Sequence, residues 1–268
     1  MNWTGLLNWS LSYCDGPGQS RFSEMDQETK NWLKEALESM CLDETKILKK
    51  ATEVLGMHEE GREEEKLMKE EILNQLIDII ENLETARNLV KMGGMGSLVR
   101  CMVGSSFYQV KKMAATVFQS GVQNNPYVQK AAYEENAIGA LTAAINHTED
   151  LKLKELYVGC LSGLLRGEYS EARQNFVSTD GLIFIDSILC SPPSNRALKK
   201  CLLMLSDFFF WAKTEHNIIY RSQNVGLLDS LQRLLAHSDQ EVKELSQSAI
   251  SNYQEATAHI ENVPAVKG

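Results

Sequence analysis

The chain has 268 residues, of which 43% are hydrophobic, and a formal net charge of −9. This length can bury a substantial core in one or two domains, and no apolar run approaches the roughly 20 residues that a membrane-spanning helix needs. The balance of 27 Lys and Arg against 36 Asp and Glu, without long basic clusters, argues against nucleic acid as a partner. We therefore expect a cytoplasmic protein, with the nucleus also compatible, that binds neither nucleic acid nor membrane.

In chain order, residues 1–25 are predicted to form a short, partly flexible segment, because Gly16-Pro17-Gly18-Gln19-Ser20 is typical of a loop. Apolar residues then recur at helical spacing from Asp26 to Leu55. Residues 26–66 are therefore predicted to hold N-terminal capping helices.

From residue 67 to 238, apolar positions recur with a period of 43 or 44 residues. Helical repeats of about 40–47 residues are typical of armadillo and HEAT solenoids. We therefore predict a stack of about four repeats, which offers a long surface to a partner and no enclosed pocket. The two clearest series are Met95, Ile138, Leu182, Val225 and Ile79, Val122, Leu165, Phe209.

Each repeat is predicted to contain one long and two short helices. Asn124-Asn125-Pro126 ends one long helix, because Pro cannot continue a helix and Asn tolerates the left-handed C-cap conformation, and Ser178-Thr179-Asp180 is interpreted as a helix N-cap. The predicted helices are Val110–Val122, Tyr127–Glu134, Ile138–Ile145, Leu151–Leu165, Ser170–Val177, Leu182–Leu189, Ala197–Trp211, His216–Arg221, Leu227–Leu235 and Gln240–Ile260.

No segment shows the alternation of a β-strand, so the fold class is all-α. We predict a right-handed, armadillo-like superhelical solenoid whose repeats occupy 67–238, with a C-terminal capping helix and tail at 239–268. Three helices per repeat favour armadillo over HEAT, although both share this period.

Catalytic and metal-binding motifs are not found. The five His have no second ligand at metal spacing, and Gly93-Gly94-Met95-Gly96 lacks the strand and the Lys-Ser/Thr of a phosphate loop. The six Cys form no Cys-x-x-Cys pair, and Cys101 and Cys160 are interpreted as small buried hydrophobes. We predict no enzyme, no catalytic residue, no metal and no cofactor.

The inner face of the solenoid is predicted to be lined by the long helices, with its centre near Ser120, Gly163 and Asp207. Armadillo proteins that capture extended peptides usually carry Asn at this position and Trp one turn earlier, which hold the peptide. Here the earlier positions include Thr116 and Gly159. Capture of an extended peptide is therefore disfavoured, and Ser120 is a candidate contact for another kind of partner.

Four local strings resemble, in order and spacing, the Fes-type and Hsp70-binding-protein family of armadillo nucleotide exchange factors. Leu6-Leu7-Asn8-Trp9-Ser10 is similar to the opening of the fungal members. The stretch from Ile80 to Ala86 (Ile-Glu-Asn-Leu-Glu-Thr-Ala) resembles their first repeat, and Val122-Gln123-Asn124-Asn125 the end of the next long helix. Leu164-Leu165-Arg166 occupies the matching position one repeat later.

The resemblance implies a co-chaperone without catalytic residues. Its concave face would bind the nucleotide-binding domain of a 70-kDa heat-shock (DnaK-type) chaperone as a monomer and accelerate ADP release. ATP would then rebind and the client would leave, because the factor prefers the opened state of the chaperone. An armadillo scaffold or peptide adaptor unrelated to chaperones remains the alternative.

The resemblance also implies contact positions. The family places a basic residue where Cys201 aligns, and this chain has two lysines just before it. The Asn pairs also cap helices, a role they would have whatever the function. With Ser120 from the repeat period, the expected contacts are Glu81, Asn82, Ala86, Ser120, Gln123, Asn124, Asn125, Arg166, Lys199 and Lys200.

Overall fold

The computed structural model describes residues 27–32, 44–215 and 226–261. The chain divides into two compact units, Met1–Asp43 and Glu44–Gly268. In the first unit, residues 27–32 are helical. The predicted N-terminal segment and its Leu-Leu-Asn-Trp-Ser string lie outside the described residues, as does the helix predicted at His216–Arg221.

In the second unit, the described secondary structure is entirely helical. The helices are α1 (Glu44–Gly56), α2 (Glu63–Ile79), α3 (Leu83–Lys91), α4 (Gly94–Gly104), α5 (Tyr108–Val122), α6 (Pro126–Glu134), α7 (Ala137–His147), α8 (Leu151–Leu165), α9 (Ser170–Ser178), α10 (Gly181–Cys190), α11 (Asn195–Glu215), α12 (Leu227–Leu234) and α13 (Gln240–Glu261).

A short, a medium and a long helix recur three times in this unit, as α3–α5, α6–α8 and α9–α11. The long third helices pack side by side in chain order, α2 on α5, α5 on α8, α8 on α11 and α11 on α13. This is the three-helix armadillo arrangement predicted from the repeat period. The predicted boundary between residues 66 and 67 lies within α2.

The residue just before the second helix of each repeat has positive φ: Gly93 (78°), Asn136 (54°), Asp180 (63°) and Gly226 (103°). Gly, Asn and Asp are the residues that adopt this conformation at least cost. Asp180 thus stands at the N-cap of α10 but makes no side-chain cap hydrogen bond. The predicted N-cap position is therefore correct, but Asp180 supplies a left-handed backbone turn there and not a capping side-chain hydrogen bond.

The apolar series form the core. The described members of both series are all buried, from Ile79 to Phe209, and Val225 lies outside the described residues. Tyr157 lies among them, and its hydroxyl donates to the carbonyl oxygen of Met102 at 2.6 Å. Burial of each large side chain stabilises the fold by about 1.5–3 kcal/mol. The repeat period therefore identified the interior correctly.

A buried ion pair between Glu59 and Lys69 links the loop before α2 to that helix, and Glu59 also binds the loop before α5. Glu59 accepts hydrogen bonds from Lys69 Nζ (2.9 Å), the Ser106 backbone N–H (2.8 Å) and the Ser105 hydroxyl (3.1 Å). Burial alone would raise the pKa of Glu59, but these three bonds outweigh it and hold the pKa at about 2. This carboxylate therefore stabilises the first repeat only while it is charged.

The interpretation of Cys101 and Cys160 as buried hydrophobes is confirmed. Their thiols donate to the carbonyl oxygens of Leu55 and Ala115, at 3.5 and 3.2 Å, and burial raises the pKa of both. In the described parts of the chain, no helix has the length and apolarity to cross a membrane. Over the same residues, no group of three or more His, Cys, Asp or Glu could hold a metal ion.

Candidate functional site

The long helices α5, α8 and α11 expose one continuous surface, which we call the third-helix face. It contains two adjoining depressions of about 170 and 310 Å³, and Gln119 and Lys200 line both. The first depression lies toward the start of these helices and the second toward the ends of α5 and α8. The first depression is also lined by Lys112, Lys152, Glu155 and Arg196, and the second by Gln123, Asn124, Gln129, Arg166 and Gly167.

The first depression is basic although the chain as a whole is acidic. Lys112, Lys152, Arg196 and Lys200 line it, against the single acid Glu155. Arg196 Nη1 lies 3.7 Å from Glu155 Oε1, which offsets one of the four positive charges. This local excess of positive charge attracts an acidic surface of a partner.

Lys200 occupies the centre of this surface. Burial lowers the pKa of Lys200, and the positive charges of Arg196 and Arg166 lower it further. Because the ammonium group is half-buried and close to two guanidinium groups, a negative group or a strong hydrogen-bond acceptor of a partner would stabilise its charged form.

Lys199 is directed differently. Its Nζ lies 2.9 Å from Asp239 Oδ2 and also pairs with Glu241 Oε2, at the start of α13. These hydrogen bonds raise the pKa of Lys199. Lys199 therefore ties α11 to α13, and Lys200 is the lysine of the two that faces the depressions.

Arg166 joins α8 to α11 on this face. Its Nε lies 2.6 Å from Asp207 Oδ2, and the two side chains are 35% and 31% exposed. Asp207 and Gly163 are two of the positions predicted for the centre of the face, and Gly163 lines the second depression. Ser120, the third, is half-buried on α5.

The end of α5 contributes both exposed and buried side chains. Gln123 and Asn124 are exposed, and of the two Asn residues before Pro126 it is Asn124 that has the left-handed conformation, with φ of 53°. Asn125 is 0% exposed, and its Nδ2 donates to the carbonyl oxygen of Leu83 at 3.1 Å. Asn125 was expected at an exposed helix end; it is instead an interior link between repeats, so we remove it from the contact surface.

The start of the first repeat also departs from expectation at one residue. Glu81 and Asn82 are exposed, and Asn82 Oδ1 caps α3 by accepting from the Glu84 N–H at 2.9 Å. Ala86 is only 2% exposed, and it packs close to Gly121 of α5. Its side chain cannot touch a partner in this conformation, and we remove it as well.

Sequence reasoning missed several residues of the face. Lys152 and Arg196 are 44 residues apart and lie at the same place on consecutive third helices, a signal that the repeat period contained. Gln119 and Gln129 gave no comparable signal, because their positions depend on how neighbouring helices meet. Cys201, where the family would place a basic residue, is buried, and burial raises its pKa to about 12.

Known structures resemble this fold. A designed armadillo repeat protein in complex with a (KR)4 peptide superposes with a TM-score of 0.65 at 17% identity, over 86% of this chain and 95% of that one. The armadillo-repeats-only protein of Plasmodium falciparum superposes with a TM-score of 0.58 at 11% identity, over 87% of this chain and 100% of that one. These likenesses confirm the armadillo-like fold.

Sequence comparison identifies the family. Nucleotide exchange factor SIL1 of Xenopus laevis is 22% identical over 145 residues, which are 54% of this chain and 30% of the frog protein. Hsp70 nucleotide exchange factor FES1 of Saccharomyces cerevisiae is 23% identical over 228 residues, 84% of this chain and 77% of the yeast protein. The model of the SIL1/FES1/HPBP1 C-terminal domain matches residues 85–224, just over half of the chain. The chain therefore belongs to the SIL1/FES1/HPBP1 family.

Proposed function

We propose that this protein is a nucleotide exchange factor that binds the nucleotide-binding domain of a 70-kDa heat-shock chaperone. The observation that carries the proposal is the basic third-helix face of an acidic chain, in a family whose members include named nucleotide exchange factors. A large domain with an acidic surface fits this face by charge. A cationic linear peptide would be repelled by it.

The proposed mechanism needs no catalytic side chain. The factor binds more tightly to the chaperone in its opened, nucleotide-free state than in its closed, ADP-bound state. That difference in affinity shifts the chaperone toward the open state, from which ADP leaves and ATP rebinds. A stack of packed helices suits this role because it deforms little when it binds.

The proposed contact surface centres on Lys200 and Arg166. Ser120 of α5 lies near them, as do Gln123 and Asn124 just after the end of that helix. Glu81 and Asn82 mark the start of the surface at the first repeat. Lys199 acts indirectly, by holding α13 against α11 through Asp239 and Glu241.

The test is release of labelled ADP from purified 70-kDa chaperone, with the full chain added. We expect faster release with the wild-type protein, and a loss of most of that effect with Lys200→Glu. Lys49→Glu is the matched control, since Lys49 is exposed on α1 and the change in charge is identical. No acceleration by folded wild-type protein across the cognate chaperones would refute the function, and equal activity of both variants would refute the surface.

The alternative is an armadillo adaptor for linear motifs. Capture of linear peptides in the same purified system, without binding to any chaperone nucleotide-binding domain, would support it. Light scattering of the chain mixed with the chaperone nucleotide-binding domain also distinguishes the two functions. For a nucleotide exchange factor we expect a complex of one monomer of this chain with one chaperone domain.

We also propose a cytoplasmic location. The four described cysteines are free thiols, which suits a reducing compartment. Cell fractionation with antibodies against the chain tests this, and recovery from the secretory lumen would contradict it.

A further inference from the structure

A groove separates the second helices of the second and third repeats. α4 packs on α7, and α10 packs on α12, but α7 and α10 do not pack on each other in this way. The groove between α7 and α10 extends to the ends of α6 and α9 and has a volume of about 640 Å³. We call it the second-helix groove. No residue of α5, α8 or α11 lines it, so it is separate from the third-helix face.

The inner surface of this groove is apolar. Phe176 is 2% exposed, and the half-buried ring of Phe184 meets it edge-on with the ring centroids 6.2 Å apart. Ile138 adds apolar surface from α7, and Ile183 of α10 lines the groove with a side chain that is 54% exposed. Exposed apolar surface around a groove is typical of a site that binds apolar side chains of a partner.

Polar groups of two kinds also line the groove. The hydroxyls of Thr142 and Ser187 donate to carbonyl oxygens of their own helices, at 3.0 and 2.7 Å, so towards a ligand their oxygens act as acceptors. In the described part of the chain, the side-chain amides of Asn136, Asn146 and Asn175 form no hydrogen bond, and they can supply N–H donors. The groove therefore offers both partners that a peptide backbone needs, an acceptor for its N–H and a donor for its carbonyl group.

The groove is almost uncharged although the chain is not. Asp180 is the single charged residue among the fourteen that line it, whereas 24% of the chain is charged. A charged side chain that enters such a groove loses water and gains little in return, which costs free energy. The lining therefore favours an uncharged ligand.

The length of the groove favours an extended ligand over a helical one. From Asn136 to Asn146 the groove follows α7 for roughly 15 Å, at 1.5 Å per residue. An extended chain rises about 3.3 Å per residue, so about four to five residues span this length. A helix already pairs its own backbone groups and would leave the amides and hydroxyls of the groove without backbone partners.

We propose that the second-helix groove binds an extended, uncharged segment, apolar at alternate positions, of a polypeptide that is not folded. Alternate side chains of such a segment point to one side and enter the apolar interior, while its backbone pairs with the amides and hydroxyls. Segments of this kind are mostly buried in folded proteins, so an unfolded chain is their source. The inference concerns neither the third-helix face, where the sequence disfavours capture of an extended peptide, nor the proposed function.

The first test is fluorescence anisotropy of a labelled peptide, Ser-Val-Ser-Leu-Ser-Val-Ser with both ends blocked, titrated with the full chain. We expect saturable binding, weakened at least about tenfold when Lys replaces the Leu, because a charge must then be buried. Methylation of a backbone N–H should weaken binding about three- to tenfold, the worth of one hydrogen bond. Absence of saturable binding, or equal binding of the Lys peptide or of the methylated peptides, would overturn the proposal.

Competition identifies the source of the segment. A disulfide-bonded protein, reduced so that it stays unfolded, should displace the labelled peptide, and the same protein in its folded, oxidised form should not. Equal displacement by both forms, or displacement by neither, would contradict the assignment to unfolded chains.

Ile183→Glu tests the location of the site, with Leu67→Glu as the matched control, because Leu67 is 57% exposed on α2 and outside the groove. We expect Ile183→Glu to weaken peptide binding at least about tenfold and Leu67→Glu to bind like wild type. Wild-type affinity in Ile183→Glu would overturn the site. If circular dichroism shows that Ile183→Glu does not fold, Ser187→Glu, at an exposed position of the same groove, decides the question by the same measurement.

Discussion

The Arg166–Asp207 pair offers the sharpest test of how the third-helix face is built. Arg166 Nε and Asp207 Oδ2 are 2.6 Å apart, a charge-assisted geometry, and each side chain is about one-third exposed. Fully exposed pairs contribute about 0.2–1 kcal/mol, and partial burial raises that value. We expect a coupling free energy of about 1 kcal/mol, which corresponds to about 2–4 °C in Tm for a unit of this size.

The assay is a double-mutant cycle in denaturant, with Arg166→Ala, Asp207→Ala and both together. The matched control is the Lys50–Glu71 pair, at 3.2 Å and with side chains 53% and 60% exposed, for which we expect a coupling of at most about 0.5 kcal/mol. Raising the salt concentration should reduce both values, since neither pair is fully buried. A coupling at Arg166–Asp207 no larger than the control would refute the pairing that the structure shows.

Measurements of chaperone binding by these variants distinguish two possible roles of Arg166. If the Arg166 guanidinium touches the chaperone, Arg166→Ala should weaken the complex while Asp207→Ala, which leaves the guanidinium in place, should not. If the pair only holds α8 against α11, both variants should weaken binding alike. We expect the first pattern. Unchanged affinity in both variants would remove Arg166 from the proposed surface.

Three further predictions concern the interior. Glu59→Gln should lower the free energy of unfolding at pH 7 by about 3 kcal/mol, because it leaves Lys69 buried without its partner. Since the pKa of Glu59 falls from 4.5 to about 2 on folding, its contribution is complete above pH 4.5 and is lost toward pH 2, so acid titration of the two proteins should converge. Tyr157→Phe should cost about 1–2 kcal/mol in denaturant unfolding, and Tyr108→Phe, on an exposed ring, about zero. Of the described thiols, a maleimide should label Cys190 in the native protein, whereas labelling there of the three buried ones would contradict their burial.

The helices were largely predictable because apolar spacing reports which side of a helix is buried. The predicted helix Leu151–Leu165 has the same bounds as α8, and most others differ by one to four residues at an end. Those ends depend on turn geometry rather than on periodicity. Asp180 shows this, since it occupies the N-cap position of α10 with a left-handed backbone and without a capping side-chain bond, which its residue type alone does not reveal.

The candidate site was less predictable, because exposure at a helix end is set by the next repeat. Asn125 resembles a surface cap in sequence, yet Leu83, 42 residues earlier, draws it into the interior. Lys199 and Lys200 are adjacent, and only the acids of α13 distinguish a structural lysine from a surface one. Such contacts join residues about one repeat apart, and no local pattern records them.

Because the stabilising contacts join residues of neighbouring repeats, they determine how the protein opens and how its amides exchange with solvent. Thr85–Glu44, Arg166–Asp207 and Tyr157–Met102 join residues 41 to 55 apart, so each layer is held mainly by its neighbours. Such a stack opens from its ends, layer by layer, and its middle amides exchange last. A chaperone lobe bound across α5, α8 and α11 would contact three layers at once and would hold them together. Hydrogen exchange in the complex should then slow most in those layers, and the end layers should keep their own rates.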